Sequence, residues 1–276
     1  MALTTAKGLR DQNGLTEEEF LAQYDPGDYE RPSVTVDMLL IGPKKDLSGL
    51  RILLIKRGGH PYLNCWALPG GFVHPDETCY EAAKRELSEE AGVKDVFLEQ
   101  VYTFSKPDRD PRTRVISVAY IALTSKTVPV RGGDDALEAA WFDFEYTDSQ
   151  IHIFNEDIGV DIVYELSTKR FKNGHIKYPN LTPTLKSKTR LAFDHVEIII
   201  EAMKKIRKEI EYTDLPFSMA PVKFTLPDLQ VIYELLLGHK LYKANFRIMV
   251  ADRIEALGEK TKSIVGRRMS EVYMLK

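Results

Sequence analysis

The sequence predicts an α/β (α+β) chain of two domains, a strand-rich body followed by a small unit of helix, helix and hairpin. Three observations carry this reading. The 276 residues are too many for one small domain and enough for two. Hydrophobic residues make up 43% and charged residues 29%, ordinary globular proportions that argue against a largely disordered chain. Strand-like runs with one well-capped helix among them fill the first half, whereas the end of the chain is helical and closes on a strand pair.

Residues 1–30 form an N-terminal extension, in which Thr16 followed by Glu19 has capping-box form and a short helix ends near Pro26-Gly27. The body spans 31–150. Its first strands are VTVDMLLIG and RILLIKRG, separated by a polar turn from Pro43 to Gly49. WALPGGFV and a loop lead to a helix from about Thr78 to Ala91, closed by Gly92 where a helix C-cap favours glycine. VFLEQVYTF, RVISVAYIALT and AAWFDF are further strands. Residues 151–190 are an insertion read as a β-hairpin turning at Asn173-Gly174. A connecting helix follows within 191–214, with Phe193, Val196, Ile200, Met203 and Ile206 on its apolar face. In 215–276, Thr225 caps a helix that Gly238 stops, a second helix runs from about Tyr242 to Leu257, and SIVGRRMSEVYML forms a strand pair. Helix, turn, helix and hairpin is the order of a winged helix.

Composition narrows the function classes. Two cysteines, Cys65 and Cys79, cannot build a disulfide framework or a cysteine zinc site, and a reducing cytoplasm fits them. The N-terminus lacks the apolar core of a signal peptide, and no run approaches the ~18 apolar residues of a membrane span, so no membrane partner is expected. The net charge of −3 is unevenly divided: from Leu215 onward ten Lys/Arg face six Asp/Glu, a net of +4, and the remainder carries −7. A basic small domain on an acidic body invites nucleic acid as a partner. His74, His175 and His195 show no metal-ligand spacing and read as surface or satisfied core histidines.

The chemistry concentrates in GFVHPDETCYEAAKRELSEEAGV, from Gly71 to Val93. Glu86, Glu89 and Glu90 stand at i, i+3 and i+4, within about 100° of one another on a helix. Like charges so placed weaken an isolated helix by about 0.2–0.5 kcal/mol per pair, so a positive group should compensate. Hard divalent cations prefer such oxygens. Arg85, four residues before Glu89, is placed to hold that carboxylate, and Gly70-Gly71 allows a close backbone approach to phosphate or metal.

Gly71, Glu77, Arg85, Glu86, Leu87, Glu89, Glu90, Gly92 and Val93 match every defined position of the box G-x5-E-x7-R-E-U-x-E-E-x-G-U, in which U is aliphatic. The segment therefore resembles the Nudix hydrolase family, and the preceding WALPGG is similar to that family's usual approach to the box. The resemblance implies a mixed sheet sandwiched by helices in an α/β/α arrangement, and hydrolysis of a diphosphate by water. It implies Mg²⁺, with Mn²⁺ as a substitute, on Glu86, Glu89, Glu90 and Gly70, with Arg85 orienting the carboxylates and Glu77 supporting the loop. A general base from a later loop is also implied. Asp134, Asp135 and Glu138 in GGDDALEAAWF are the candidates, with Glu138 preferred.

Substrate contacts are read from nearby residues. Arg109, Arg112 and Arg114 have the forks that suit diphosphate oxygens, or are simply solvated. Tyr102 and Phe104 could stack on an adenine ring or belong to the core, and Trp66 reads as core. With FSKPDRDPRTRVISVAY, LAFDH and FTLPDLQVIYELLLG, the chain resembles a group that joins a Nudix domain to a C-terminal winged helix. That group contains ADP-ribose pyrophosphatases and ligand-responsive transcriptional regulators, and it implies ADP-ribose or a related nucleoside diphosphate derivative and a homodimer. Regulators of the group often carry a degraded box; the intact one here favours catalysis. DNA contact through Lys243, Arg247, Arg267 and Arg268 is the regulator expectation, against which Asp252 and Glu255 on the second helix weigh.

Overall fold

The structure, a computed structural model, describes residues 8–94, 96–125, 136–266 and 268–276. It divides into two units, Met1–Pro32 and Ser33–Lys276. In the first, a reciprocal capping box between Thr16 and Glu19 starts α1 (Glu17–Gln23), which buries none of its residues.

The second unit is built on one large sheet. Its strands are β1 (Ser33–Pro43), β2 (Leu50–Arg57), β3 (Trp66–Ala67) and β4 (Gly70–Phe72), then, after α2 (Cys79–Ala91), β5 (Phe97–Phe104), β6 (Val115–Leu123) and β7 (Ala136–Tyr146). β8 (Gln150–Asn155), β9 (Val160–Asn173) and β10 (Ile176–Leu185) complete it. The order is β10-β9-β8-β7-β2-β1-β6-β5, with β3 beside β2 and β4 beside β1. Only β1 and β6 run parallel among the described pairs. The insertion is thus a continuation of the sheet as well as a hairpin, because β8 pairs with β7 and carries β9 and β10 outward.

β1 is buried along nearly its whole length because both faces of the sheet are covered. Val36, Met38 and Leu40 pack with Ala83, Leu87 and Ala91 of α2. Leu39 and Ile41 point the other way, into a core shared with α3 (His195–Glu209). This is the sandwich that the motif implied. α3 starts later than its periodicity predicts: Phe193 lies before the helix with φ +48°, outside the apolar face on which it was expected.

β11 (Phe224–Thr225), α4 (Leu226–Leu237), α5 (Lys243–Val250), β12 (Ile254–Lys262) and β13 (Met269–Leu275) form the C-terminal winged helix, with strand order β11-β13-β12. Thr225 caps α4 and Gly238 ends it in a left-handed turn. The buried Asp228 accepts hydrogen bonds from Thr225 Oγ1 (2.7 Å), Ser263 Oγ (2.7 Å) and Val265 N (3.1 Å), which fastens the β12–β13 turn to α4. α5 stops at Val250 rather than Leu257, and Glu255 belongs to β12, because Ile254 pairs with Leu275 and Ala256 with Tyr273. Strand pairing there outcompetes a helical spacing of Phe246, Val250 and Ile254.

α3 ties the two halves together. Near its end Arg207 donates to the carbonyls of Tyr146 (2.8 Å) and Leu236 (3.3 Å), reaching the sheet and α4 at once. At its start Asp194 grips the buried Arg109 through two hydrogen bonds, Nε to Oδ2 (2.9 Å) and Nη2 to Oδ1 (2.7 Å). Asp37 of β1 lies 3.3 Å from the same guanidinium and also accepts a short hydrogen bond from Ser117 Oγ. Removing one partner of such a pair strands a buried charge. Asp194→Ala should lower the unfolding free energy by about 3–5 kcal/mol in urea titration; a loss below about 1 kcal/mol contradicts this role.

Candidate functional site

Thr78 and Glu81 form a second capping box that fixes the start of α2, and Gly92 closes the helix in the left-handed region. The buried stripe of α2 includes Ala83, Leu87 and Ala91, and Glu86 and Glu90 lie beside it. Two of the three predicted carboxylates are therefore buried at the edge of the sheet, while the side chain of Glu89 is 59% exposed.

Arg85 organises this edge. It grips Glu77 twice, Nε to Oε2 (3.0 Å) and Nη2 to Oε1 (2.6 Å), and donates to the Phe72 carbonyl (3.0 Å). Its Nη1 donates to Glu86 (2.7 Å) and Glu89 (3.1 Å). Glu77 also accepts from the His74 backbone (2.9 Å), so it closes the loop between β4 and α2. The Arg85 guanidinium, then the His74 amide, pulls the Glu77 carboxyl down to about 2. Burial pushes the Glu86 carboxyl up, against the opposing pull of Arg85. Glu86 is thus a desolvated acid for which an added cation would be favourable.

The glycine pair admits these carboxylates. A Cβ on Gly71 would collide with the Glu86 carboxylate, and one on Gly70 with the Val36 carbonyl and Asp37. Gly70 donates its N–H to Glu90 Oε2 (2.8 Å). Just upstream, Leu68 donates its N–H to Nδ1 of the buried His195 (2.8 Å), which leaves Nε2 facing Asp37 at 3.4 Å. Burial lowers the pKa of His195, so it is a neutral imidazole with its proton on Nε2. Among the described residues no three acidic, histidine or cysteine groups converge as a preformed cation cage. The donor set still suits a hard divalent ion: acid oxygens crowd one helix face, with Arg85 as their shared counter-charge.

Other expected residues fall into different places. Arg109 is buried and engaged by Asp194 and Asp37, so its fork is spent within the protein and it is no free diphosphate contact. Phe104 is core, which removes it as a stacking surface, while Tyr102 stays 57% exposed. Arg114 is turned to the carbonyls of Lys106 and Val115. Arg112 pairs with Asp110 (2.7 Å) yet remains half-exposed, over the rings of Phe72 (5.4 Å) and Phe193 (6.0 Å). Glu138 is in strand β7 rather than a loop, opposite Lys56 and 3.8 Å from its amine. Asp134, Asp135 and Arg267 lie outside the described residues.

An arginine and aromatic cluster went unread in the sequence. Arg57 stands over Phe193 (4.9 Å), Arg190 over Tyr62 (5.1 Å), and Tyr62 packs on Phe193 (4.6 Å). With Arg112 and Phe72 these groups gather beside β4, where guanidinium forks and ring faces suit a nucleoside diphosphate. HPY at His60 to Tyr62 and KTR at Lys188 to Arg190 were the available signals, too short and too far apart to be joined without the fold. On the winged helix, α5 exposes Lys243, Asn245 and Arg247, and Arg268 is exposed beyond β12. Asp252 lies in the turn after α5.

The NUDIX domain family model matches residues 31–158, and the NrtR DNA-binding winged helix domain model matches residues 216–275. The ADPR responsive transcriptional repressor NtrR of Acinetobacter baylyi is 33% identical over 263 residues, covering 95% of this chain and 89% of its own. The ADP-ribose pyrophosphatase of Methanocaldococcus jannaschii is 44% identical over 115 residues, 42% of this chain and 64% of its own. A MutT/nudix family protein from Enterococcus faecalis superposes with a TM-score of 0.78 at 34% identity, covering 95% of this chain and 94% of that one. Shewanella oneidensis NrtR complexed with a 27mer DNA gives 0.61 at 26% identity, with 88% and 93% covered. Box geometry, two-domain architecture and full-length similarity agree: the chain belongs to the Nudix proteins that carry a C-terminal NrtR-type winged helix.

Proposed function

We propose that the protein is a Mg²⁺-dependent pyrophosphohydrolase of ADP-ribose or a related nucleoside diphosphate derivative. The observation that carries this reading is the intact and internally braced box, in which Arg85 holds Glu77, Glu86 and Glu89 while the Gly70 amide holds Glu90. Glu86, Glu89 and Glu90 would hold the cation, helped by the backbone at Gly70. Bound Mg²⁺ supplies charge neutralisation at the diphosphate and a more acidic attacking water. Glu138 is the base in this reading, receiving the water's proton. Arg112, Arg57 and Arg190 take the diphosphate oxygens, and Tyr62 or Phe193 offers a face to the base or ribose. Similarity to an ADP-ribose pyrophosphatase supports the substrate class.

The winged helix and the full-length similarity to an ADPR responsive repressor favour a second reading, a DNA-binding regulator whose Nudix domain senses the same ligand. Lys243, Arg247 and Arg268, with Arg267, would meet phosphates, and homodimerisation would present two such surfaces. The two readings are compatible, since one ligand site can serve turnover and sensing.

A product assay on a panel of nucleoside diphosphate derivatives with Mg²⁺ separates them. Wild type should release a nucleoside monophosphate, and Glu90→Gln should lower kcat by at least about a hundredfold. No turnover of any member by pure protein refutes the enzyme reading. Retardation of the protein's own upstream DNA, relieved by ADP-ribose, is the outcome that the regulator reading requires; no retardation at low salt removes it. The loop brace has a pH signature. The Glu77 carboxyl is held at about 2 against an ordinary value of 4.5, so its stabilising contribution is fully present above about pH 4.5 and is lost as pH falls through about 2. Melting temperatures of wild type and Glu77→Gln should differ by a constant amount above pH 4.5 and converge toward pH 2. A gap that persists unchanged in acid contradicts the brace.

A further inference from the structure

Beyond Leu166, β9 and β10 leave the body. Every described side chain from Ser167 to Pro179 is exposed, so the two strands stand as a ribbon with both faces in solvent. Their register places Phe171 opposite Tyr178, Lys172 opposite Lys177 and Arg170 opposite Pro179. Directly opposed residues share a face and successive ones alternate. One face therefore carries Phe171 and Tyr178, whose rings stack 28° from parallel with centroids 6.3 Å apart. The other face carries Arg170, Lys172 and Lys177.

That second face is unfavourable by itself, because like charges directly across a strand pair repel. Nothing nearby relieves it in sequence: no Asp or Glu occurs between Glu165 and Asp194, a stretch with seven Lys/Arg. The chain as a whole is at −3, so the remainder carries −10. Lys186, at the base of the arm, pairs with Glu165 (2.6 Å), whereas Arg170, Lys172 and Lys177 take no salt bridge among the described residues. A positive stripe raised on a solvent-exposed two-stranded ribbon, away from an acidic body, calls for an external polyanion. Arg170 and Lys172 are two strand steps apart, about 6.8 Å, which is the axial advance of two phosphates on one strand of duplex DNA. A two-stranded ribbon also has the width that the DNA major groove admits.

We propose that the β9–β10 arm is a second contact surface for duplex DNA, with Arg170, Lys172 and Lys177 on phosphates, in addition to the winged helix. The proposal deepens the DNA reading, yet it stands on different residues and is separable from it. The test is fluorescence anisotropy of the full-length protein with a short random-sequence duplex across a salt series. Neutralising the three cations in R170Q/K172Q/K177Q should make the slope of log Kobs against log salt shallower by about 2–3. R170K/K172R/K177R should retain the wild-type slope, and unchanged melting temperatures exclude misfolding. K243Q/R247Q should flatten the slope independently. If only K243Q/R247Q does so, the arm proposal is overturned and the winged-helix reading stands; if wild type shows no binding at low salt, both fall. An unchanged slope with altered sedimentation of R170Q/K172Q/K177Q would instead make the arm an interface with the acidic body of a second copy.

Discussion

The buried guanidinium of Arg109 is the constraint on which the site depends. A charge out of water is tolerated only when paired and hydrogen-bonded, and Asp194 and Asp37 supply both partners from distant parts of the chain. Asp37 lies against Gly70, whose amide holds Glu90, and the neighbouring His195 fixes Leu68 by accepting its N–H. The approach to the Nudix box is therefore pinned on two sides by a network that begins at the first turn of α3. That helix continues to Arg207, which meets the sheet and α4. Site, sheet and winged helix thus all meet one helix, α3, through hydrogen bonds at its two ends.

The acidic cluster follows the same logic of compensation. Glu86, Glu89 and Glu90 would repel one another on an isolated helix, and Arg85 offsets part of that while leaving Glu86 desolvated, its pKa raised by burial. Glycines at 70 and 71 are required by volume, since the space that a Cβ would take is filled by Asp37, the Val36 carbonyl and Glu86. Helix, glycine pair and brace are one device.

Much of this was legible in the sequence, because the box is local: its spacing and C-cap glycine act within 23 residues from Gly71 to Val93. The strands, the Thr225 cap and the β9–β10 hairpin were legible for the same reason, although the turn falls on Gly174-His175, one residue beyond the expected Asn173-Gly174, because Asn173 pairs with Ile176. What escaped was non-local. Arg109 read as a diphosphate fork because its partners lie 72 and 85 residues away. Phe193 read as helical by periodicity, whereas its place beside Tyr62 and below Arg57 depends on a left-handed turn. The second winged-helix helix read too long because Ile254 satisfies a helical spacing and a strand pairing alike, and only Leu275 decides between them.

The central claim, that the box carboxylates hold a divalent cation against a nucleoside diphosphate, is tested most directly by electron paramagnetic resonance. Mn²⁺ would be titrated into full-length protein in the presence of a fixed amount of a non-hydrolysable ADP-ribose analogue. The account predicts a tightly bound ion in the wild type and its loss in Glu86→Gln/Glu90→Gln, with the melting temperature of that variant not below that of the wild type. Equal Mn²⁺ affinity in the two proteins would contradict it.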